Sequence, residues 1–305
     1  MKKTFILLIV FLVICGFVNA QITIKGHILD SESKKGVEYA CVYKEGTNIG
    51  CICDSLGYFV LDDLKVFPDS LTVSCVGYDN KKVYKKYLKT SNEVSVDLEL
   101  KSIHLNEVII KNEKLKEKTL SLGTSSRKWN RCSPLYFASQ KMRYFTTNKT
   151  KAFIDNFSFY IQGLYGGKKA RIRIYTVDSI KHTPQNDLLN SNLIVDKLKE
   201  GWNTVDLKKY KIRIPKDGFF IGLESVVSDK DCFVKDGENK YAGRYSDLSI
   251  GCTKEQTVTA SRYLFIGDYR RDGEVYLSNS ITDWSLDSSN MGFDLLYKVK
   301  ITYYE

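Results

Sequence analysis

Histidine is nearly missing from this 305-residue chain, which has only His27, His104 and His182. Any acid–base site must therefore rest mainly on carboxylates or tyrosines. Proline is also scarce, at four residues, and alanine is sparse, whereas there are twenty tyrosines and fifteen phenylalanines. That balance favours strands over helices. No Gly-x-Ser-x-Gly elbow and no phosphate-cradling glycine loop occurs. The glycine-rich run Gly163-Leu164-Tyr165-Gly166-Gly167 lies between two strand-like runs and is expected to be a hairpin loop. Beyond the first twenty residues, no segment supplies the ~20 apolar residues that a helix needs to cross a bilayer.

Those first twenty residues read as a secretory signal. Lys2 and Lys3 precede the apolar stretch Phe5 to Val13, and Val18-Asn19-Ala20 is the expected cleavage site, leaving Gln21 as the mature N-terminus. Lipid attachment at Cys15 is disfavoured because Ile14 stands where a lipobox carries a small residue. Without Lys2 and Lys3 the chain keeps 44 basic against 36 acidic residues, a mature charge of +8. Lysines are scattered, and Lys111 to Lys118 alternates in sign. Such a surface reads as solvated and not as a nucleic-acid footprint. An acidic envelope glycan is the better counter-charge. Seven cysteines follow the signal: Cys41, Cys51, Cys53, Cys75, Cys132, Cys232 and Cys252. An odd number cannot pair completely in one chain. Cys51 and Cys53, two apart in a strand, point the same way and are poorly placed to bridge each other.

From Ile22 to Ile110, short alternating runs are punctuated by turns, the pattern of an all-β sandwich. Strands are expected at Ile22–Asp30, Ala40–Tyr43, Cys51–Cys53, Tyr58–Leu61, Leu71–Val76 and Val94–Leu98. Between the third and fourth, Asp54 can accept backbone N–H bonds, and Gly57 tolerates the positive φ that closes a hairpin. The spaced residues Ile24-x-Gly26-x-Ile28-x-Asp30, Gly36-Val37-x-x-Ala40-x-Val42 and Gly46-Thr47 continue as Asp54-x-x-Gly57-x-Phe59-x-Leu61 and Asp69-Ser70-Leu71-x-Val73-Ser74-x-x-Gly77-Tyr78. With the closing Leu105-Asn106-Glu107-Val108-Ile109-Ile110, this order resembles the carboxypeptidase regulatory-like domain. The resemblance implies a seven-stranded, transthyretin-like sandwich in an exported protein of a Gram-negative bacterium. Cys51 and Cys53 depart from the Thr or Ser usual there.

The resemblance does not imply a peptidase. His104-Leu105-Asn106-Glu107 spells the His-x-x-Glu pair of zinc carboxypeptidases, with His182 as a conceivable third ligand. Those residues fall on the closing segment that the regulatory domain already explains, and a catalytic zinc needs a preformed scaffold with an open position. The same domain also precedes the plug of outer-membrane receptors. The 195 residues after Ile110 are too few for a plug and a barrel of roughly 22 strands.

Lys111 to Arg127 is expected to be a polar linker, with residues 128–305 forming a second, jelly-roll-like β-sandwich. Its strands are expected at Phe153–Ile161, Ala170–Val177, Asn192–Val195, Trp202–Leu207, Tyr210–Ile214, Phe219–Glu224, Arg262–Ile266 and Asp294–Tyr303, with Ile172 and Ile174 inward. The course Ile172-x-Ile174-Tyr175, Gly201-Trp202-x-x-Val205-Asp206-Leu207 and Gly218-Phe219-Phe220-x-Gly222-x-Glu224 resembles sandwich domains that follow regulatory-like domains in exported bacterial proteins.

Aromatic faces stack on the C–H faces of sugars. The candidate ligand-binding residues are accordingly Tyr241, Arg244, Tyr245, Tyr269, Arg271 and Trp284, with Trp202, Tyr276, Asp268 and Arg270 as further candidates. Trp202 opens a strand, where a core or edge role competes. The long polar excursion Ser228 to Ser261 is the first place to seek a binding face. The expected function is a non-enzymatic envelope protein, in the periplasm or at the cell surface, binding an acidic glycan or an envelope protein without metal or cofactor. A structural or assembly role and a carboxylate-based glycoside hydrolase are the alternatives.

Overall fold

Along Ile22–Asp30 the chain alternates between buried and more exposed positions, with Ile24, Ile28 and Asp30 buried. This is the period of a strand with one face on a core. The computed structural model describes residues 22–45, 47, 49–64, 66–88, 93–101, 115–124, 132–135, 139–164, 169–226, 248–253, 259–263, 269–271, 274–276, 285–287 and 294–305. The first sandwich comprises β1 (Ile22–Asp30), β2 (Cys41–Tyr43), β3 (Gly50–Ile52), β4 (Tyr58–Leu64), β5 (Ser70–Ser74), β6 (Lys81–Tyr84) and β7 (Val94–Leu98), with a one-turn helix α1 (Lys85–Leu88). A three-stranded sheet β4-β1-β7 and a four-stranded sheet β3-β2-β5-β6 supply seven strands, with β1 and β7 parallel. Ile28, Val42, Phe59, Leu71, Val73 and Leu98 are among the residues packed in its core.

The turn between β3 and β4 carries the chemistry its sequence predicts, but it is not a hairpin, because the two strands belong to different sheets and the turn passes the chain from one to the other. Asp54 Oδ1 accepts the N–H groups of Leu56 at 2.8 Å and Tyr58 at 2.9 Å. Gly57 adopts φ +81°, and a Cβ there would lie 2.5 Å from the Ile28 carbonyl oxygen. Strand β6 escapes a reading based on alternation because only Val83 of Lys81-Lys82-Val83-Tyr84 is buried.

The second sandwich begins with β8 (Glu117–Gly123), β9 (Cys132–Leu135), β10 (Ser139–Phe145), β11 (Ala152–Leu164), β12 (Ala170–Val177), β13 (Pro184–Asp187), β14 (Ile194–Val195), β15 (Gly201–Asp206) and β16 (Phe219–Ser225). It continues with β17 (Leu248–Thr253), β18 (Thr259–Tyr263), β19 (Tyr269–Arg271), β20 (Glu274–Tyr276), β21 (Ser285–Asp287), β22 (Asp294–Leu295) and β23 (Tyr297–Tyr304). One seven-stranded sheet runs β13-β12-β16-β10-β18-β21, with β14 also on β12. The other runs β22-β17-β11-β23-β8, with β15 on β11 and β9 on β17. Neighbours are mostly non-consecutive, so the strands cross between sheets in a jelly-roll-like manner. Phe157, Phe159, Ile172, Ile174, Ile221, Leu223, Tyr297 and Val299 pack together in the core. The protein is therefore all-β, two sandwiches in succession. Among the described residues, no helix is long and apolar enough to cross a membrane.

Several local expectations are corrected. Within the expected connector, residues 117–123 form edge strand β8, paired along β23 from Lys298↔Gly123 to Tyr304↔Glu117. Its residues are almost all exposed, so no apolar period betrays it. Tyr210–Ile214 is not a strand: a 3-10 turn at Lys208–Tyr210 ends on Lys211 with left-handed φ 48°, leaving one bridge, Phe153↔Arg213. The run Gly163–Gly167 does not close a hairpin, because β11 and β12 belong to different sheets. The polar excursion contains β17, where Leu248, Ile250 and Cys252 are buried core residues. Strand β10 was unforeseen, because Gln140 and Arg143 are polar and yet buried.

Candidate functional site

The register of one sheet gathers charges on the face turned away from the inter-sheet core. On β12, Ala170, Ile172 and Ile174 enter the inter-sheet core. Arg171, Arg173 and Tyr175 alternate with them and so occupy the opposite face. Cross-strand pairing sets Glu224 of β16 beside Arg171, and Gln140 of β10 on the other side of Glu224. All are buried, with Arg171 and Glu224 each only 1% exposed.

Burying an ion still costs several kcal/mol after relaxation, so such groups persist only when fully paired. Here they are. Arg171 Nη1 donates to Glu224 Oε1, its Nε donates to Asn192 Oδ1 at 2.7 Å, and its Nη2 donates to the Tyr39 carbonyl oxygen at 2.7 Å. Arg173 donates from Nη1 to Glu224 Oε2 and from Nη2 to both oxygens of Asp187 at 2.9 Å. Gln140 donates to Glu224 and accepts from the Tyr175 hydroxyl at 3.0 Å. Burial works against the Arg171 charge, but its surroundings together, Glu224 foremost, outweigh it, so its pKa lies above the ordinary arginine value. Arg173 is held well above that value by Tyr175, Asp187 and Glu224, against the pull of burial.

This network is also the junction between the two sandwiches. Tyr39 belongs to the first, where its φ of 53° turns the backbone into the left-handed region. That conformation is uncommon for a bulky side chain and marks a position held by its surroundings. The Tyr39 N–H donates to the Asp54 carbonyl, its carbonyl accepts from Arg171, and its hydroxyl accepts from Lys169 Nζ at 2.7 Å. Asn192 Nδ2 donates to the Glu38 carbonyl at 2.9 Å. At Gly77, φ +84°, a Cβ would lie 2.7 Å from the Asn190 carbonyl oxygen, so the chains approach closely there.

Four cysteines of the first sandwich, Cys41, Cys51, Cys53 and Cys75, are buried free thiols. Cys75 Sγ lies 4.0 Å from Arg171 Nη2. Burial, reinforced by Glu224 and opposed by Arg171, pushes the Cys41 thiol up to about 12. Cys53 and Cys75 are raised in the same direction, chiefly by burial, so these three thiols are protonated, packed and shielded, which is the chemistry of core residues and not of nucleophiles. Among the described residues, no cluster of three or more His, Cys, Asp or Glu side chains is placed to hold a metal. His104 and Glu107 lie outside the described residues, and His182 is an exposed turn residue with φ 55°.

Of the residues that the sequence nominates for a ligand, Tyr241, Arg244, Tyr245, Asp268 and Trp284 lie outside the described residues. Backbone register places Tyr269 opposite Tyr276 and Arg271 opposite Glu274 in the two-stranded ribbon β19–β20. Trp202 is half-buried on β15, edge-on to Tyr160 at 5.6 Å and under Lys298 Nζ at 5.5 Å, so its ring is already engaged. Sequence reasoning missed Arg171, Arg173, Glu224, Tyr39, Lys169 and Asn192. A signal was present: Glu224 ends a run, Phe219 to Leu223, that is apolar on both faces, so it had to be buried and to find counter-charges.

Residues 24–110 match the family model described as CarboxypepD_reg-like domain. No curated protein matches the chain. Among solved structures, the chain is similar to the cysteine protease and lectin-like domains of Cwp84, a surface layer associated protein of Clostridium difficile, at 12% identity and a TM-score of 0.34. That similarity covers 84% of this chain but only 45% of the other, so this chain spans less than half of it. The match runs from within β1 to beyond β7 and so takes in the whole first sandwich, which is similar over residues 24–110 to a carboxypeptidase regulatory-like domain and is followed by a second β-sandwich.

Proposed function

We propose that the protein is an exported, non-enzymatic binding module of the cell envelope, in which the regulatory-like domain is the fixed base of a larger sandwich that holds an acidic glycan. One observation carries the reading: the buried ionisable cluster is wholly consumed in joining the two domains. Glu224 is held between two guanidinium groups and Gln140, so both of its oxygens are committed to the junction. Asp30 and Asp178 are lowered by hydrogen bonds within their turns, the direction opposite to that of a general acid. The +8 mature charge favours an anionic ligand, and the β19–β20 ribbon sets tyrosine opposite tyrosine beside an arginine.

Each charge-assisted bond is worth about 1.5–3 kcal/mol when shielded, so millimolar to micromolar affinity that weakens with salt is expected. The test is a glycan array with the mature chain, followed by calorimetry on the best acidic glycan. Arg271→Ala and Trp284→Ala should each weaken binding. Turnover of an envelope polysaccharide would replace this reading with the glycoside-hydrolase one. Co-purification of a defined protein with no glycan signal would replace it with the assembly one.

A further inference from the structure

We infer that the first sandwich carries its own contact site for an acidic polysaccharide, at the corner where β6 runs into α1. This rests on the reading above for the class of ligand but puts a site in a different domain. The segment Lys81-Lys82-Val83-Tyr84-Lys85-Lys86-Tyr87-Leu88 places four lysines and two tyrosines in eight residues. Val83 and Leu88 are buried in the core and fix the corner. Among the described residues strand β6 pairs only with β5, at the edge of its sheet. Lys82 and Tyr84, two apart on one strand, share its outer face.

The four lysines are not equivalent. Lys81 Nζ donates to the Asp97 carbonyl at 2.8 Å, and Lys85 sits 3.7 Å from the Asp69 carboxylate. Among the described residues no carboxylate pairs with Lys82 or Lys86. Lys86 Nζ instead stands 4.7 Å from the centre of the Tyr87 ring. Lysines on a sheet edge serve on their own to prevent edge-to-edge pairing. That role does not account for the aromatic rings, with Tyr84 53% and Tyr87 56% exposed. Exposed ring faces next to unpaired ammonium groups match a pyranose polymer bearing carboxylates. The rings take the C–H faces and the ammonium groups take the anions.

The test is calorimetric titration of the mature chain with polygalacturonate, at low and at physiological salt. Lys82→Ala/Lys86→Ala should weaken binding about tenfold, from two exposed charge contacts. Tyr87→Ala should weaken it several-fold without changing the salt dependence. The equal-charge control Lys208→Ala/Lys216→Ala, at exposed positions of the second sandwich, should stay within about twofold, since neither ammonium group stands over an aromatic ring among the described residues. Equal loss from both lysine pairs would overturn the site in favour of diffuse charge. Full binding by the Lys82/Lys86 variant, with loss in Arg271→Ala, would overturn this site and leave the second-sandwich reading standing. Tighter binding to phosphatidylglycerol vesicles than to polygalacturonate, lost in the same variants, would overturn it in favour of a lipid surface.

Discussion

The two sandwiches use the same alternation for opposite ends. In β7 of the first, Val94, Val96 and Leu98 enter the core while Ser95 and Asp97 face outward, and Asp97 meets Lys34 at 3.0 Å on an exposed surface. In β12 of the second, the isoleucines enter the core and the arginines that alternate with them are buried too, Arg171 to 1% and Arg173 to 8% exposure. The difference lies in what covers the second face. Tyr39, Glu38 and Cys75 of the first sandwich close over Arg171, so one domain supplies the environment of the other's charges. A polar residue on a strand thus reports where its neighbours are, and not whether it meets water.

The comparison breaks most visibly at Glu224. Glu224→Ala leaves Arg171 and Arg173 without their shared carboxylate and should cost about 3–5 kcal/mol of unfolding free energy, read from urea titrations. A loss under about 1 kcal/mol would mean that water reaches the network and that its burial does not persist in solution.

The thiols beside that network sharpen the comparison through pH. Cys41 is raised from 9.0 in the unfolded chain to about 12 when folded, chiefly by burial and then by Glu224. Its contribution is therefore fully present below pH 9 and is lost as pH rises from 9 towards 12. The span amounts to about 4 kcal/mol at most, since each unit is worth about 1.4 kcal/mol. Cys53 and Cys75 shift in the same direction. Stability measured from pH 8 to 11 should fall steeply, and Cys41→Ala should flatten the fall. A flat profile in the unmodified chain would show that these thiols are hydrated.

The smallest effect belongs to the exposed pair. Lys34→Ala removes the contact with Asp97 and should change stability by less than about 0.5 kcal/mol. A larger change would place that face of the first sandwich under cover as well, erasing the contrast with β12.

Much of the first sandwich was legible because its strands bury one face and its turns carry their own chemistry. Asp54 and Gly57 shape the β3–β4 turn with local hydrogen bonds and a local dihedral, which a sequence can state, although not that the turn leads into the other sheet. Strand β6 was missed because an edge strand needs only one buried residue, Val83. In the second sandwich the apolar strands β11, β12 and β16 were visible, but β10 was not. Its burial depends on Glu224 and Tyr175 satisfying Gln140, and on the carbonyls of Leu295 and Tyr297 satisfying Arg143. The nominated ligand residues rested on residue type and exposure alone, and neither orders aromatics and arginines in space.

The sequence by itself determined the all-β class, the regulatory-like domain and the inward faces of its strands. Those depend on side-chain period and on turn residues acting within a few positions. Only the tertiary structure decided that Arg171, Arg173 and Glu224 join the two domains, that residues 117–123 complete a sheet, and that β6 is an edge strand among the described residues with Lys82 and Tyr84 on its outer face. Each depends on partners tens to well over a hundred residues away or on which strands neighbour it among the described residues. No local pattern encodes either.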